Sequence, residues 1–262
     1  FFRAEYRLNT LLYNYEKAII AFQDGVTMGG GVGISVHGSH RVATENTVFA
    51  MPETGIGLFP DVGGGWFLPR LPHGPALGMW LALTGERLKG ADCVAAGIAT
   101  EFMRSDVIDA VKQSLIAGDL EILEAMEWDE SAPFEDHLGV MEACFNKTSV
   151  EQIFDALGTH TSDWAKKQLE TLKRKSPQTL KVAHRQLTEG AQHKTFEDNM
   201  RMEYRIGARV IHRPDFAEGV RAVIVDKDNN PAWDPLTLLG VTDEMLDDIF
   251  APLPEDEELT FE

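Results

Sequence analysis

Cysteine is nearly absent: the 262-residue chain holds two, Cys93 and Cys144. They stand alone, without paired metal or redox spacing, so neither a disulfide framework nor a cysteine-built metal centre organises the fold. Both are expected to be buried or neutral thiols. Long apolar runs are also missing. A membrane helix needs about 20 consecutive apolar residues, and the nearest run, Ala18 to Phe22, is only strand length. No membrane partner is therefore expected, and no secretory signal is visible at the start. Positive charge is scarce: 24 Lys and Arg stand against 42 Asp and Glu, a formal net charge of −18. Such a surface repels nucleic acid on average, so no nucleic-acid role is expected. An anionic small ligand stays compatible only where Lys and Arg gather locally. The chain opens Phe1-Phe2-Arg3 without an initiator Met, and it is expected to start inside a longer protein.

What is present suits a globular protein. Hydrophobic residues make up 44% and charged residues 25%, enough for one sizeable core or one core with a smaller added layer. Ala18 to Phe22 reads as a buried strand, followed by a turn at Asp24-Gly25. Arg41 to Thr44, Thr47 to Met51 and Ile98 to Phe102 read as further strands. Ala76 to Thr84 reads as a buried helix closed by Gly85, and Asp92 as the N-cap of a helix that ends before Gly97. Short strands alternating with helices predict an α/β architecture over residues 1–105. Beyond Ser105 strand signals become rare. Helices are predicted over 119–128, 150–157, 164–173, 177–187 and 196–211, so residues 106–262 form a mainly helical region. Pro177 after Ser176 marks a first helical position. The acidic stretch Pro252 to Glu262 is expected to fray.

Two segments carry chemistry. Gly29-Gly30-Gly31 follows a predicted strand and opens a helix. Glycines let the backbone approach a ligand closely, and the first N–H groups of a helix have no internal acceptor. Such a turn can hold an oxyanion or a phosphate; close strand–helix packing is the bland alternative. No Gly-Lys-Ser/Thr follows, so it is not a P-loop. The second segment, Met51 to Gly65, is dense in Gly and Pro and reads as a loop. Glu53 and Asp61 lie in it beside Ile56, Leu58, Phe59 and Val62. Apolar surroundings desolvate a carboxylate and move its pKa toward the working range of a general acid or base. His37 and His40 are expected at a helix end or on the surface. Trp66 and Phe67 are expected in the core or in a pocket wall, and Arg221 and Lys227 on a solvated face.

Together these segments resemble the crotonase (enoyl-CoA hydratase/isomerase) superfamily. The resemblance runs from about Ala18 to Phe102 through Met28–Gly33, Phe49–Glu53, Gly57, Gly63-Gly64-Gly65 and Leu83-Thr84-Gly85, and returns at Asp215–Ala222. It implies a crotonase-like strand–strand–helix superhelical core followed by C-terminal helices, with an N-terminal part of that core absent from this chain. The segments Phe1–Tyr6, Thr27–Gly33, Gly57–Gly65 and Ser176-Pro177 with Leu180-Lys181 are most similar to the branch that hydrolyses 3-hydroxyisobutyryl-CoA in valine degradation. That similarity implies catalytic or substrate-binding roles for Gly30, Glu53 and Asp61, with Glu5 as a further substrate contact. Gly30 would donate one hydrogen bond of an oxyanion hole, and the other donor would come from the absent segment. Hydratases of the superfamily carry a second glutamate two residues past the glycine turn; that position here is Gly33. The implied activity is thioester hydrolysis, with hydration, double-bond isomerisation or non-catalytic acyl-CoA binding as alternatives. No cofactor is implied, because CoA enters as part of the substrate. A homo-oligomer is compatible with the family. The implied compartment is the cytoplasm for a bacterial chain and the mitochondrial matrix for a eukaryotic one.

Overall fold

The strands are short and belong to two small sheets that the chain visits alternately. The structure is a computed structural model describing residues 1–124 and 132–261. Among these residues the strands are β1 (Ile20–Gln23), β2 (Val26–Thr27), β3 (His40–Ala43), β4 (Val48–Phe49), β5 (Leu88–Lys89) and β6 (Glu101–Phe102). One sheet has the parallel order β1-β3-β6. The other has the order β2-β4-β5, with β4 parallel to β2 and antiparallel to β5. The chain crosses between sheets at Asp24-Gly25 and again at 44–47, and these corners are bonded to each other. Thr44 and Asn46 donate to Asp24 Oδ1 at 2.6 and 3.1 Å, and the Thr47 hydroxyl donates to the Gln23 carbonyl. The result is the α/β strand–strand–helix spiral expected from the resemblance, with substantial helix beyond it.

The helices are α1 (Phe2–Tyr13), α2 (Gly30–Gly33), α3 (Gly64–Phe67), α4 (Pro75–Thr84), α5 (Gly90–Ala95), α6 (Ile108–Ile116) and α7 (Glu121–Glu124), then α8 (Leu138–Phe145), α9 (Val150–Thr159), α10 (Asp163–Leu172), α11 (Pro177–Gly190), α12 (Phe196–Val210), α13 (Pro214–Val220) and α14 (Asp243–Phe250). The expected helix over 119–128 lies partly outside the described residues. Helix α4 is apolar all round, and Ala76 to Thr84 are all buried, so it forms the centre of the core. Gly85 closes it in the left-handed conformation, as expected. Helices α9, α10, α11, α12 and α14 start at hydroxyl caps: Ser149, Ser162, Ser176, Thr195 and Thr242 each accept an N–H three residues on.

Two expectations are corrected. Asp92 is not a cap: α5 begins at Gly90, after Lys89, so Asp92 lies inside the first turn. Over its described residues, 252–261, the acidic C-terminal stretch is tied to the body of the protein rather than frayed. Arg3 donates to the Glu258 and Glu257 carbonyls at 2.8 and 2.6 Å, Arg7 donates to the Thr260 carbonyl at 2.8 Å, and Leu259 is buried in the main core. The glycine turn does open a helix, the single turn α2.

The C-terminal helices touch the loop that carries Glu53. After β4 the chain makes a 3-10 turn over Glu53–Ile56, closed by left-handed Gly57. A Cβ on Gly57 would lie 2.2 Å from the Asp215 carbonyl oxygen, and one on Gly219 would lie 2.3 Å from the Ile56 carbonyl. Helix α13 therefore packs backbone to backbone on this turn. Gly219→Ala should destabilise the fold by about 1–3 kcal/mol or more through overpacking. The control is Gly139→Ala in α8, where an added Cβ meets nothing and a small gain of about 0.4–1 kcal/mol is expected. Urea midpoints that move equally for both variants would contradict the contact.

Candidate active site

Gly29 turns the chain with φ +50° and ψ −126°, a conformation that suits glycine, and α2 starts at Gly30. The next N–H groups are taken: Gly31 donates to the Met28 carbonyl at 3.0 Å, and Val32 and Gly33 to the Gly29 carbonyl at 2.9 and 3.2 Å. Among the described residues the exposed Gly30 N–H has no acceptor. It is free to meet an oxygen that gains negative charge.

Glu53 follows β4 directly and is 4% exposed. Its turn is pinned by the Thr54 hydroxyl on the Leu83 carbonyl at 3.0 Å and by the Ser176 N–H on the Thr54 carbonyl at 3.1 Å. Oε2 of Glu53 has no hydrogen-bond partner. Burial, and next the charge of Asp61, hold this carboxyl well above the usual carboxylate range, while Lys175 works in the opposite direction. Such a group is poised to take a proton or to attack.

Asp61 is also buried, and the Tyr6 hydroxyl donates to its Oδ2 at 3.1 Å. Burial pushes its pKa up to about 8, helped by the charges of Glu203 and Glu5 and opposed by the Tyr6 bond. Glu5 precedes Tyr6 on α1, and its Oε1 lies 3.3 Å from where a Cβ on Gly30 would stand. Helix α1 thus brings Glu5 to the glycine turn and Tyr6 to Asp61. The structure gathers all four residues singled out from the sequence, Glu5, Gly30, Glu53 and Asp61, into one neighbourhood.

Gly33 has no room for a side chain. A Cβ there would sit 2.9 Å from both Asn9 Nδ2 and Val62 Cβ, and Asn9 Nδ2 donates to the Gly33 carbonyl at 2.9 Å. Val62 reaches this place because its backbone is left-handed, with φ +51°. Positive φ is rare for a β-branched residue.

The discounted residues serve other purposes. His37 Nε2–H donates to the Val62 carbonyl at 2.8 Å, and burial lowers the pKa of the ring to about 4, so it is neutral. His40 bonds Glu101 at 2.9 Å. Trp66 packs against Tyr13 and Phe196, with the Arg70 guanidinium 3.7 Å from its ring centroid. Arg221 is occupied by Glu218, Asp226 and Asp228. Sequence reasoning missed Tyr6, Glu203 and the cations of one cavity. That cavity, about 480 Å³, is lined by Met28, Pro52, Gly55, Arg87, Arg174 and Lys175 among others. It abuts the turns of both Gly30 and Glu53, and gathers positive charge in an acidic chain. Glu203 had a signal: with Asn199 it is polar within the buried stripe Phe196, Met200, Ile206, Val210 of α12.

The enoyl-CoA hydratase/isomerase family profile matches residues 1–250. Mitochondrial 3-hydroxyisobutyryl-CoA hydrolase of Mus musculus is 48% identical over 265 residues, covering 96% of this chain and 68% of that protein. The crystal structure of a carnitinyl-CoA dehydratase from Mycobacterium thermoresistibile superposes with a TM-score of 0.93 at 36% identity, over 100% of this chain and 75% of that one. An enoyl-CoA hydratase from Rhodobacter sphaeroides 2.4.1 gives 0.92 at 33% identity, over 99% and 75%.

The raised pKa of Asp61 has a consequence for stability. A carboxyl that binds its proton more tightly when folded stabilises the fold below its folded pKa, and that contribution is lost as pH rises from about 4 to about 8. Asp61→Asn removes the titrating group. Its melting temperature relative to wild type should therefore be more favourable at about pH 8 than at about pH 5. The same difference at both values would contradict the burial argument.

Proposed function

We propose that this chain, which belongs to the enoyl-CoA hydratase/isomerase (crotonase) family and acts on an acyl-CoA thioester, hydrolyses 3-hydroxyisobutyryl-CoA to the free acid and CoA. The observation that carries this reading is the filled space at Gly33. By the resemblance described above, hydration needs a second glutamate there to share the attacking water with Glu53. Asn9 and Val62 occupy the room it would need. What is left is one buried carboxylate with an unpartnered oxygen, Glu53. That arrangement suits attack on a thioester carbonyl.

In this reading the thioester oxygen rests on the Gly30 N–H and a second donor. Negative charge grows on that oxygen as the carbon becomes tetrahedral, and one such donor contributes about 3–4 kcal/mol at the transition state. Glu53 either draws a proton from water or attacks the carbonyl itself. In the second route a Glu53–acyl anhydride forms as the C–S bond breaks. The thiolate takes up a proton and leaves as CoA, and water then opens the anhydride and restores Glu53. Asp61 binds the 3-hydroxyl of the acyl group, and Glu5 adds a polar contact beside Gly30. The cavity with Arg87, Arg174 and Lys175 supplies the local positive charge that CoA phosphates require. The Mus musculus relative is named as mitochondrial; a eukaryotic source implies that compartment here, and a bacterial source the cytoplasm. Hydration is the second reading, favoured by the names of the two similar solved structures.

A thiol-release panel on the full-length polypeptide separates the readings. CoA should be released from 3-hydroxyisobutyryl-CoA and 3-hydroxypropionyl-CoA, and more slowly from isobutyryl-CoA. Crotonyl-CoA should lose no enoyl absorbance; its hydration would sink the hydrolase reading. Assayed above about pH 8, where Asp61 is ionised, Asp61→Asn should cut kcat/KM on 3-hydroxyisobutyryl-CoA by about 10–100-fold, the value of a charge-assisted hydrogen bond, and on isobutyryl-CoA by much less. Equal losses would remove the hydroxyl contact from Asp61. Single-turnover hydrolysis in labelled water tests the anhydride: label in Glu53 requires it, because the general-base route exchanges no Glu53 oxygen, whereas label confined to the product acid arises both from the general-base route and from opening of the anhydride at the acyl carbonyl.

A further inference from the structure

The turn that carries Asp61 is held by side chains from distant parts of the chain. Gln186 on α11 donates through Nε2 to the Pro60 carbonyl at 2.6 Å. His37 donates to the Val62 carbonyl at 2.8 Å. Glu203 on α12 accepts the Gly63 N–H at 2.8 Å and the Gly65 N–H at 2.9 Å. Asn199 Nδ2 at 2.9 Å and Gln186 Nε2 at 3.1 Å complete its shell. Glu203 is fully buried.

A buried carboxylate is costly, and an apolar side chain of similar size often packs as well or better. Glu203 binds no cation in this shell; two of its four donors are backbone N–H groups of one loop. That loop needs the support. Val62 at φ +51° and Gly63 at φ +93° form a turn that persists only where its surroundings over-determine it. The turn places two neighbouring side chains at once. Asp61 faces Tyr6, and Val62 fills the space over Gly33.

We propose that Glu203 is a positioning residue for acyl selectivity: its grip on the Gly63 and Gly65 N–H groups aims Asp61 at the substrate hydroxyl and keeps Val62 over Gly33. The choice of substrate rests on the hydrolase reading above; the brace itself does not.

Glu203→Gln keeps the size of the side chain but replaces one acceptor oxygen with a donor, so both backbone groups cannot be satisfied in the present arrangement. In the full-length polypeptide, hydrogen exchange at the Gly63 or Gly65 amide should become about tenfold faster or more. The ratio of kcat/KM for 3-hydroxyisobutyryl-CoA over isobutyryl-CoA should fall about tenfold. Combined with Asp61→Asn, it should lower that ratio no further than Asp61→Asn does alone. Unchanged exchange at both amides overturns the brace whatever the substrate proves to be. Equal losses on both substrates, or a ratio that falls additively in the double variant, overturn the selectivity role. If Glu203→Gln does not fold, Asn199→Ala removes one donor and leaves the carboxylate, and it should lower the same ratio by a smaller factor; no fall overturns the proposal. A wild-type enzyme that releases no thiol from any ester of the panel sinks the hydrolase reading alone, and the exchange measurement still decides the brace.

Discussion

A carboxylate removed from water must find hydrogen-bond donors or give up its charge, and that constraint sorts the acids of this protein. Glu203 and Asp215 are fully buried and well partnered. Glu203 has four donors, and Asp215 takes the Ser176 hydroxyl and the Asp234 N–H. Asp61 has one side-chain donor, Tyr6, and one oxygen of Glu53 has none. Donors therefore thin out from the frame toward the chemistry. The well-bonded acids hold backbone and helix ends in place. Burial raises the proton affinity of all four, but only the poorly bonded ones keep unused acceptor capacity as well, which is what a base or nucleophile needs.

This sorting makes the C-terminal helices part of the site. Glu203 comes from α12 and Gln186 from α11, yet both hold the loop between Pro60 and Gly65. Helix α13 presses Gly219 on the turn of Glu53, and Lys175, just before α11, tempers that carboxyl. The glycines at 57 and 219 permit the contact by lacking a Cβ, not by flexibility. A loop rich in Gly and Pro is thereby held by side chains and backbone from α11, α12 and α13. Precise placement matters here because misplacing a reacting group by about 1 Å can cost about 100-fold in rate.

Local features were legible in the sequence and distant pairings were not. Helix α4 declared itself through a continuous apolar run and a closing glycine, and the Glu53–Asp61 loop through carboxylates among apolar residues. Strand edges shifted because cross-sheet corners such as Thr44 with Asp24 decide where pairing stops. The acidic tail looked unstructured because its partners, Arg3, Arg7 and Arg205, lie far away in sequence. Arg221, expected on a solvated face, is tied to three acidic neighbours on the same short segment. Glu203 was the deepest omission. A charge within a helix's buried stripe is visible in sequence, but its partners, the amides of Gly63 and Gly65, exist only once the chain has folded.

The relatives carry names for different reactions: hydrolase for the Mus musculus protein and dehydratase or hydratase for the two solved structures. Overall similarity cannot choose among them, because the same backbone supports all three. In the proposed reading the choice falls on one position and the residue that covers it. Moving a water onto a double bond and opening a thioester both use a buried carboxylate, but the first needs a partner carboxylate across the water. At Gly33 a partner has no space, since Val62 stands there on a left-handed backbone that Glu203, His37 and Gln186 hold from three sides. The missing glutamate is thus more than a substitution at one site. Putting it back would require the neighbouring turn to relax, and that turn also carries Asp61. In the hydrolase reading proposed above, loss of the second base and placement of the hydroxyl-binding acid are two results of one loop conformation.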